Sequence, residues 1–360
     1  MWHPLDSELI KRRCKNLARC LLLLPLLAGV ISGSVYAQSP VPMYEGADRT
    51  QRLVDGAKRE RSLMLYTSMA EKDSIRLTTA FEKKTGIKVT VWRAGKNKVL
   101  QRVITEAGAG RNEVDFVLNP APEMEALHRE KLLQPVRSPV QKDLIAAALP
   151  AHREWTGMRV YVFVQSYNTQ KVSREELPRT WQDLLDPRWK GRLGIEAKQQ
   201  EWFYALVQAM GEEKGLKFFR DLVATNGVSQ RTGNSLLNNM VVSGEVPLAL
   251  NVYSYLPEQA KAGGAPIDQI ALAPTMAYTD GIGIVKAAPH PNAATLFYDF
   301  MLTEGQKIVG EHSAITTNRR DEAALAKFKP VFIDAARVLD TYELWAKTYD
   351  DVLNGRPTAR

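Results

Sequence analysis

From residue 60 onward, apolar positions along the chain alternate between two rhythms. Leu63–Tyr66 is a short unbroken apolar run, as in a strand buried on both faces. Leu77, Ala80 and Phe81 then recur at helical spacing, with Lys84 near the end and Gly86 as the stop. Ile87–Trp92 alternates as a strand does. Val99, Leu100, Val103, Ile104 and Ala107 return to helical spacing. Val114–Leu118 predicts another short strand, followed by a helix over Glu123–Arg129. This β-α-β-α-β order predicts a largely parallel sheet covered by helices.

The second half repeats the alternation after a strongly β-branched and aromatic run, Val160–Val164. Strand Leu193–Glu196 is followed by helices over Trp202–Met210, Lys214–Val223 and Ser235–Ser243. Strands are expected at Val246–Leu250, Gln269–Leu272 and Ile282–Val285. Pro291 then opens a helix carrying Ala293, Leu296, Phe297, Phe300 and Met301 on one face. No internal repeat and no low-complexity linker interrupts the series. The pattern predicts an α/β protein of two lobes joined by crossing strands. In open α/β sheets ligands sit in loops beyond the carboxyl ends of strands.

The N-terminus follows neither rhythm. A basic stretch from Lys11 to Arg19 precedes the apolar run Leu21–Val30, and Val35-Tyr36-Ala37 supplies a small-residue cleavage site. This is the layout of a secretory signal over residues 1–37, cleaved after Ala37. Pro25 and Gly29 interrupt the apolar run, which is too short to span a bilayer comfortably. Both cysteines, Cys14 and Cys20, fall within this segment, so the exported chain is expected to carry no thiol. That excludes cysteine catalysis and thiolate metal sites. The formal charge is +8, of which residues 1–37 hold +3, leaving a modest +5 on the remainder. No cluster of Lys and Arg interleaved with aromatics indicates a nucleic-acid partner.

Several fragments carry a resemblance when taken together. Leu65-Tyr66-Thr67-Ser68 is followed by Ala80-Phe81-Glu82-Lys83-Lys84-Thr85-Gly86-Ile87-Lys88-Val89. Further on stand Trp181-Gln182-Asp183-Leu184-Leu185-Asp186-Pro187-Arg188-Trp189-Lys190-Gly191-Arg192 and Gly244-Glu245-Val246-Pro247-Leu248-Ala249. His290-Pro291-Asn292-Ala293-Ala294, Asp299-Phe300-Met301-Leu302 and Glu304-Gly305-Gln306 complete the series. In order and spacing they resemble periplasmic binding proteins of the ferric-iron-binding, extracellular solute-binding family 1 type, over about residues 60–320. The resemblance implies the type 2 periplasmic binding fold, with two α/β lobes, two crossing strands and a ligand cleft between them. It implies a first lobe of residues 45–158 plus 273–318 and a second of 159–272 plus 319–360. It also implies a periplasmic protein, expected as a monomer, that hands a small ligand to an ABC transporter permease and uses no cofactor.

Candidate ligand-binding residues follow. Thr67 and Ser68 end the first strand ahead of a helix, where hydroxyls and backbone N–H groups can hold an anion; Ser68 and Glu71 also fit a capping box. Lys198 and Gln199 stand where the resembling family places small anion-coordinating residues, and Lys198 suits a ligand's anionic group. Asn234 matches another anion-side position and equally a helix N-cap. Asn251 and Tyr253 match the family's Asn-x-Tyr-Tyr, whose paired phenolates hold ferric iron, but Ser254 replaces the second tyrosine. Met69 and Ala70 occupy the region of the family's early histidine, so the ferric donor set is incomplete unless Tyr255 turns inward beside Tyr253. Asp280, in Tyr278-Thr279-Asp280-Gly281, is read as a glycine-flexed turn or as a partner for a cationic group. No catalytic motif is present: Gly281-x-Gly283 lacks its third glycine, and the five histidines are scattered. The expectation is a binding protein for a small anion-bearing organic solute with no metal, the alternatives being a ferric-iron binder using Tyr253 and a periplasmic enzyme on the same fold.

Overall fold

The computed structural model describes residues 40–357; the segment read as a secretory signal lies outside them. Twelve strands are seen among the described residues: β1 Ser62–Thr67, β2 Lys88–Arg93, β3 Phe116–Pro120, β4 Leu133–Gln134, β5 Thr156–Asn168 and β6 Leu193–Glu196, then β7 Ser229–Arg231, β8 Leu248–Tyr253, β9 Ile267–Ile270, β10 Met276–Val285, β11 Ile315–Thr316 and β12 Val331–Phe332. The helices are α1 Arg49–Glu60, α2 Glu71–Thr85, α3 Lys96–Gly108, α4 Ala121–Arg129, α5 Gln200–Met210, α6 Glu212–Asn226 and α7 Asn234–Ser243, then α8 Tyr255–Ala262, α9 Pro291–Phe300, α10 Gln306–Gly310, α11 Glu322–Ala326, α12 Ala335–Asp340 and α13 Tyr342–Leu353.

Parallel pairing of β1 with β2 and β3 follows from the crossovers through α2 and α3. Gly86 ends α2 in the left-handed region at φ 76°, where it carries no Cβ penalty. β10 lies antiparallel between β3 and β5. β5 is the pivot of the molecule. Its first half, Thr156–Val162, pairs with β10, while Phe163–Asn168 pairs with β8 and β9. The second sheet continues from β8 through the parallel neighbours β6 and β7. All thirteen residues of β5 are buried, which is why it runs well beyond the Val160–Val164 segment legible as a strand. An architecture of two α/β lobes joined by crossing strands results, as expected of the type 2 periplasmic binding fold.

Two large clusters make up most of the core, and the first crosses from one lobe to the other along β5 to Leu237, Val241 and Val252. In the first, Leu65, Phe81, Phe116 and Phe297 pack between the parallel sheet and its helices. The second is built largely on aromatic rings, including Trp181, Trp189, Trp202, Phe203 and Phe219. Trp345 and Tyr349 of α13 join that second core, whereas α12 rests on α4. Within residues 319–360, expected with the second lobe, α12 thus meets the first lobe and α13 the second. No helix among the described residues is long and apolar enough to cross a membrane.

Candidate ligand-binding cleft

Strand ends and helix beginnings from both lobes converge on a cleft of about 610 Å³. One wall is made of strands. Tyr161 of β5, Tyr253 at the end of β8 and Tyr255 at the start of α8 line it. The rings of Tyr161 and Tyr253 stack with centroids 4.2 Å apart, and those of Tyr253 and Tyr255 are nearly parallel at 6.3 Å.

Behind these rings lies a polar network in which Asp280 Oδ1 alone is left without a partner. Arg159, 1% exposed, donates from Nε to Asp280 Oδ2 at 3.0 Å and from Nη1 to Asp73 Oδ2 at 3.4 Å. Its Nη2 meets the Tyr161 hydroxyl, which in turn donates to Asp280 Oδ2 at 2.8 Å. Tyr253 and Tyr278 share a hydroxyl–hydroxyl bond. Burial pushes the phenols of Tyr161, Tyr253 and Tyr278 well above the ordinary tyrosine value, and that of Tyr255 up to about 12. Nearby Arg159 and Lys96 oppose that rise without reversing it.

The other wall is made of helix N-termini. Arg93, Gly95, Lys96 and Lys98 come from the β2–α3 turn, Lys198 and Gln199 from the β6–α5 turn, and Thr232 to Ser235 from the β7–α7 turn. Helices of 13, 11 and 10 residues thus point their unsatisfied N–H ends toward one space. Glu196 ties two of these turns together, accepting from Lys198 N and Gly233 N, each at 3.0 Å. Lys96 crosses between the lobes: its Nζ lies 2.7 Å from Glu201 of α5 and 3.4 Å from Glu123 of α4. Burial alone would lower the Lys96 ammonium, but the two carboxylates hold it well above the ordinary lysine range.

The expected residues divide on this geometry. Ser68, Lys198, Gln199, Asn234 and Tyr253 line the cleft. Lys198 is exposed. Gln199 is 2% exposed, and neither its Oε1 nor its Nε2 finds a hydrogen-bond partner in the protein. Asn234 Oδ1 is likewise unpartnered; this residue is the first of α7 and not its cap, which is Gly233. Ser68 donates to Asn119 Oδ1 at 2.7 Å and forms no capping box, because the cap of α2 is Ala70, two residues further on.

Thr67, Asn251 and Asp280 lie behind the lining. The buried Thr67 Oγ1 accepts from Met69 N. Asn251 bonds both the N–H and the carbonyl of Glu196, extending the β6–β8 ladder by side chain. Asp280 sits inside β10, not in a turn, because Gly281 packs flat against Met124, where an added Cβ would fall 2.9 Å from Cγ. Its carboxylate faces Arg159 instead of the cleft.

Sequence reasoning missed Arg93, Lys96, Lys98 and Tyr161 as cleft residues, and it left Tyr255 as an open possibility. A signal for the lysines was present: cations in the first turn of a helix oppose its dipole, so Lys96 and Lys98 ahead of Val99 called for another reason. Tyr161 gave none, since a buried run such as Val160–Val164 looks alike whichever face meets a cleft.

Comparison with known proteins agrees with this geometry. Residues 67–308 match the model of the family described as bacterial extracellular solute-binding protein. Iron uptake protein A1 of Synechocystis is 26% identical over 268 residues, 70% of this chain and 74% of its own. The crystal structure of iron-bound HitA from Pseudomonas aeruginosa superposes with a TM-score of 0.71 at 24% identity, over 81% of this chain and 99% of that one. AfuA of Actinobacillus pleuropneumoniae, with exogenous fructose-6-phosphate bound, superposes with a TM-score of 0.64 at 19% identity, over 81% and 96%. With the family model covering most of its length, and with the two-lobed fold and its cleft in place, the chain belongs to the bacterial extracellular solute-binding proteins.

Proposed function

We propose that this protein captures a small anion-bearing organic solute by closing its two lobes, and delivers it as a monomer to the permease of an ABC importer. Export across the cytoplasmic membrane, with cleavage after Ala37, belongs to the same reading. One observation carries the choice of ligand. The helix wall presents three helix N-termini, the cations Arg93, Lys98 and Lys198, and the unpartnered buried amide of Gln199 to one space, while Lys96 is held by Glu123 and Glu201 and Glu196 by two backbone N–H groups. An unpaired buried amide costs roughly 1–3 kcal/mol, so its free hydrogen-bonding capacity is better matched by a ligand than by an empty site. Carboxylate, phosphate and phosphonate groups each suit such a wall.

A second reading, ferric iron, rests on Tyr161, Tyr253 and Tyr255 lining the same cleft and on the iron-related names of the relatives. Against it stand phenols that burial pushes above the ordinary tyrosine value, with the Tyr253 hydroxyl already bonded to that of Tyr278. A thermal-shift panel separates the two readings. Phosphonates, sugar phosphates and di- or tricarboxylates are tested beside neutral sugars and ferric chloride. A ligand at 100 times its Kd stabilises the native state by about 2.7 kcal/mol. The proposal expects an anion in the panel to raise the Tm by that order. A rise with ferric ion alone supports the second reading.

A further inference from the structure

Outside the cleft, the second and third turns of α4 face the bend that leads into β5. Glu125 and His128 stand three residues apart on α4, so both face one way. Across from them His152 and Glu154 flank Arg153, whose left-handed backbone (φ 58°) lets both neighbours reach α4. One ligand atom each from Glu125, His128 and His152 lies within 4.8 Å of the others. We propose that Glu125, His128 and His152 form a binding site for a first-row divalent cation of zinc type, separate from the solute cleft.

The donor set fits that class of ion. Two imidazoles and a carboxylate are borderline ligands suited to Zn²⁺, whereas Ca²⁺ takes six to eight oxygens. His152 Nε2 and Glu125 Oε2 are 3.3 Å apart, close to one edge of a tetrahedron with bonds of roughly 2.0–2.1 Å. Glu154 takes the supporting role that metal-binding histidines require. Its Oε2 lies 2.8 Å from His128 Nδ1, so that nitrogen donates and Nε2 is left free to coordinate. Glu125 and Glu154 bring two carboxylates to the cluster, which favours a cation there. Arg129 Nε, 3.8 Å away, engages Glu125 Oε1, and Trp155 Nε1 donates to Oε2 at 3.2 Å.

Without metal the cluster rests in a hydrogen-bonded form. The two imidazole rings stack at 3.7 Å, and His152 Nδ1 accepts the backbone N–H of Glu154. Loading requires His152 to tilt out of that stack. Its proton then moves from Nε2 to Nδ1, and the Glu154 amide contact opens.

Zinc chloride titrated by calorimetry into the tag-free chain lacking residues 1–37 tests this, with cobalt(II) absorption as a second readout. One zinc per chain is expected, with visible cobalt ligand-field bands. Glu154→Gln weakens binding by roughly 10–100-fold, the usual effect of removing an orienting partner, and His128→Gln weakens it further. Tyr253→Phe, in the cleft, leaves it unchanged. Far-UV circular dichroism of each variant confirms the fold. Absence of zinc uptake overturns the proposal, as does uptake indifferent to His128→Gln or abolished by Tyr253→Phe.

Discussion

On the strand wall of the cleft, Arg159, Asp280, Tyr161, Tyr253 and Tyr278 satisfy most of one another's hydrogen bonds before any ligand arrives. On the helix wall, Gln199 and Asn234 keep side-chain atoms without partners, and Lys198 reaches toward solvent. The first wall is built as protein interior is built, with buried charges paired and buried hydroxyls shared. The second leaves more capacity unmet, three buried side-chain atoms of Gln199 and Asn234 against Asp280 Oδ1 on the first. A cleft with one wall of each kind has a rigid face to close against and an adaptable face to bind with, and the adaptable face is the cationic one.

Breaking the strand wall has the largest expected effect. Arg159→Met leaves Asp280 without its cation, while Asp73 keeps Arg76, and removing one partner of a buried pair costs about 3–5 kcal/mol. Urea unfolding of the variant checks this, and adding Asp280→Leu should recover much of the loss. A loss under about 1 kcal/mol would mean that the network holds little of the fold together.

Changes on the helix wall touch affinity more than stability. Lys198→Ala removes a charged donor; such hydrogen bonds are worth roughly 1.5–3 kcal/mol, and the exposure of Lys198 places it at the low end. Gln199→Leu removes a neutral donor and acceptor worth about 0.5–1.5 kcal/mol. It should leave the ligand-free Tm unchanged or raise it, because the buried amide has no partner to lose. Calorimetric titration with the anion found by thermal shift reads both. Equal affinity in all three proteins would erase the distinction between the walls.

Much of the fold was legible because local rules were strong. Leu193–Glu196 is a strand with the expected ends, and α2 stops at Gly86 as its cap requires. The cleft lining was legible where loops follow strands, at Ser68, Lys198, Gln199, Asn234 and Tyr253. Thr67, Asn251 and Asp280 lie behind that lining, because polar residues next to a cleft in sequence can still turn backward to hold a turn, a ladder or an ion pair. The helices α1 and α13 had no place in the pattern read along the chain, although Trp345, Tyr349 and Val352 carry helical spacing. Tyr255 is the instructive intermediate case. It stands two residues after Tyr253 and shares its face, but β8 has ended there and α8 begun.

The central claim is that the cleft holds an anion through its helix wall while its tyrosines stay protonated. Titration of the tag-free protein with ferric ion, followed by visible absorption and by dialysis against citrate, tests it most directly. The account predicts no tyrosinate charge-transfer band and no iron retained, because burial holds Tyr161, Tyr253 and Tyr255 above their ordinary pKa of roughly 10. A coloured complex of one iron per chain that survives citrate and disappears in Tyr253→Phe would contradict it.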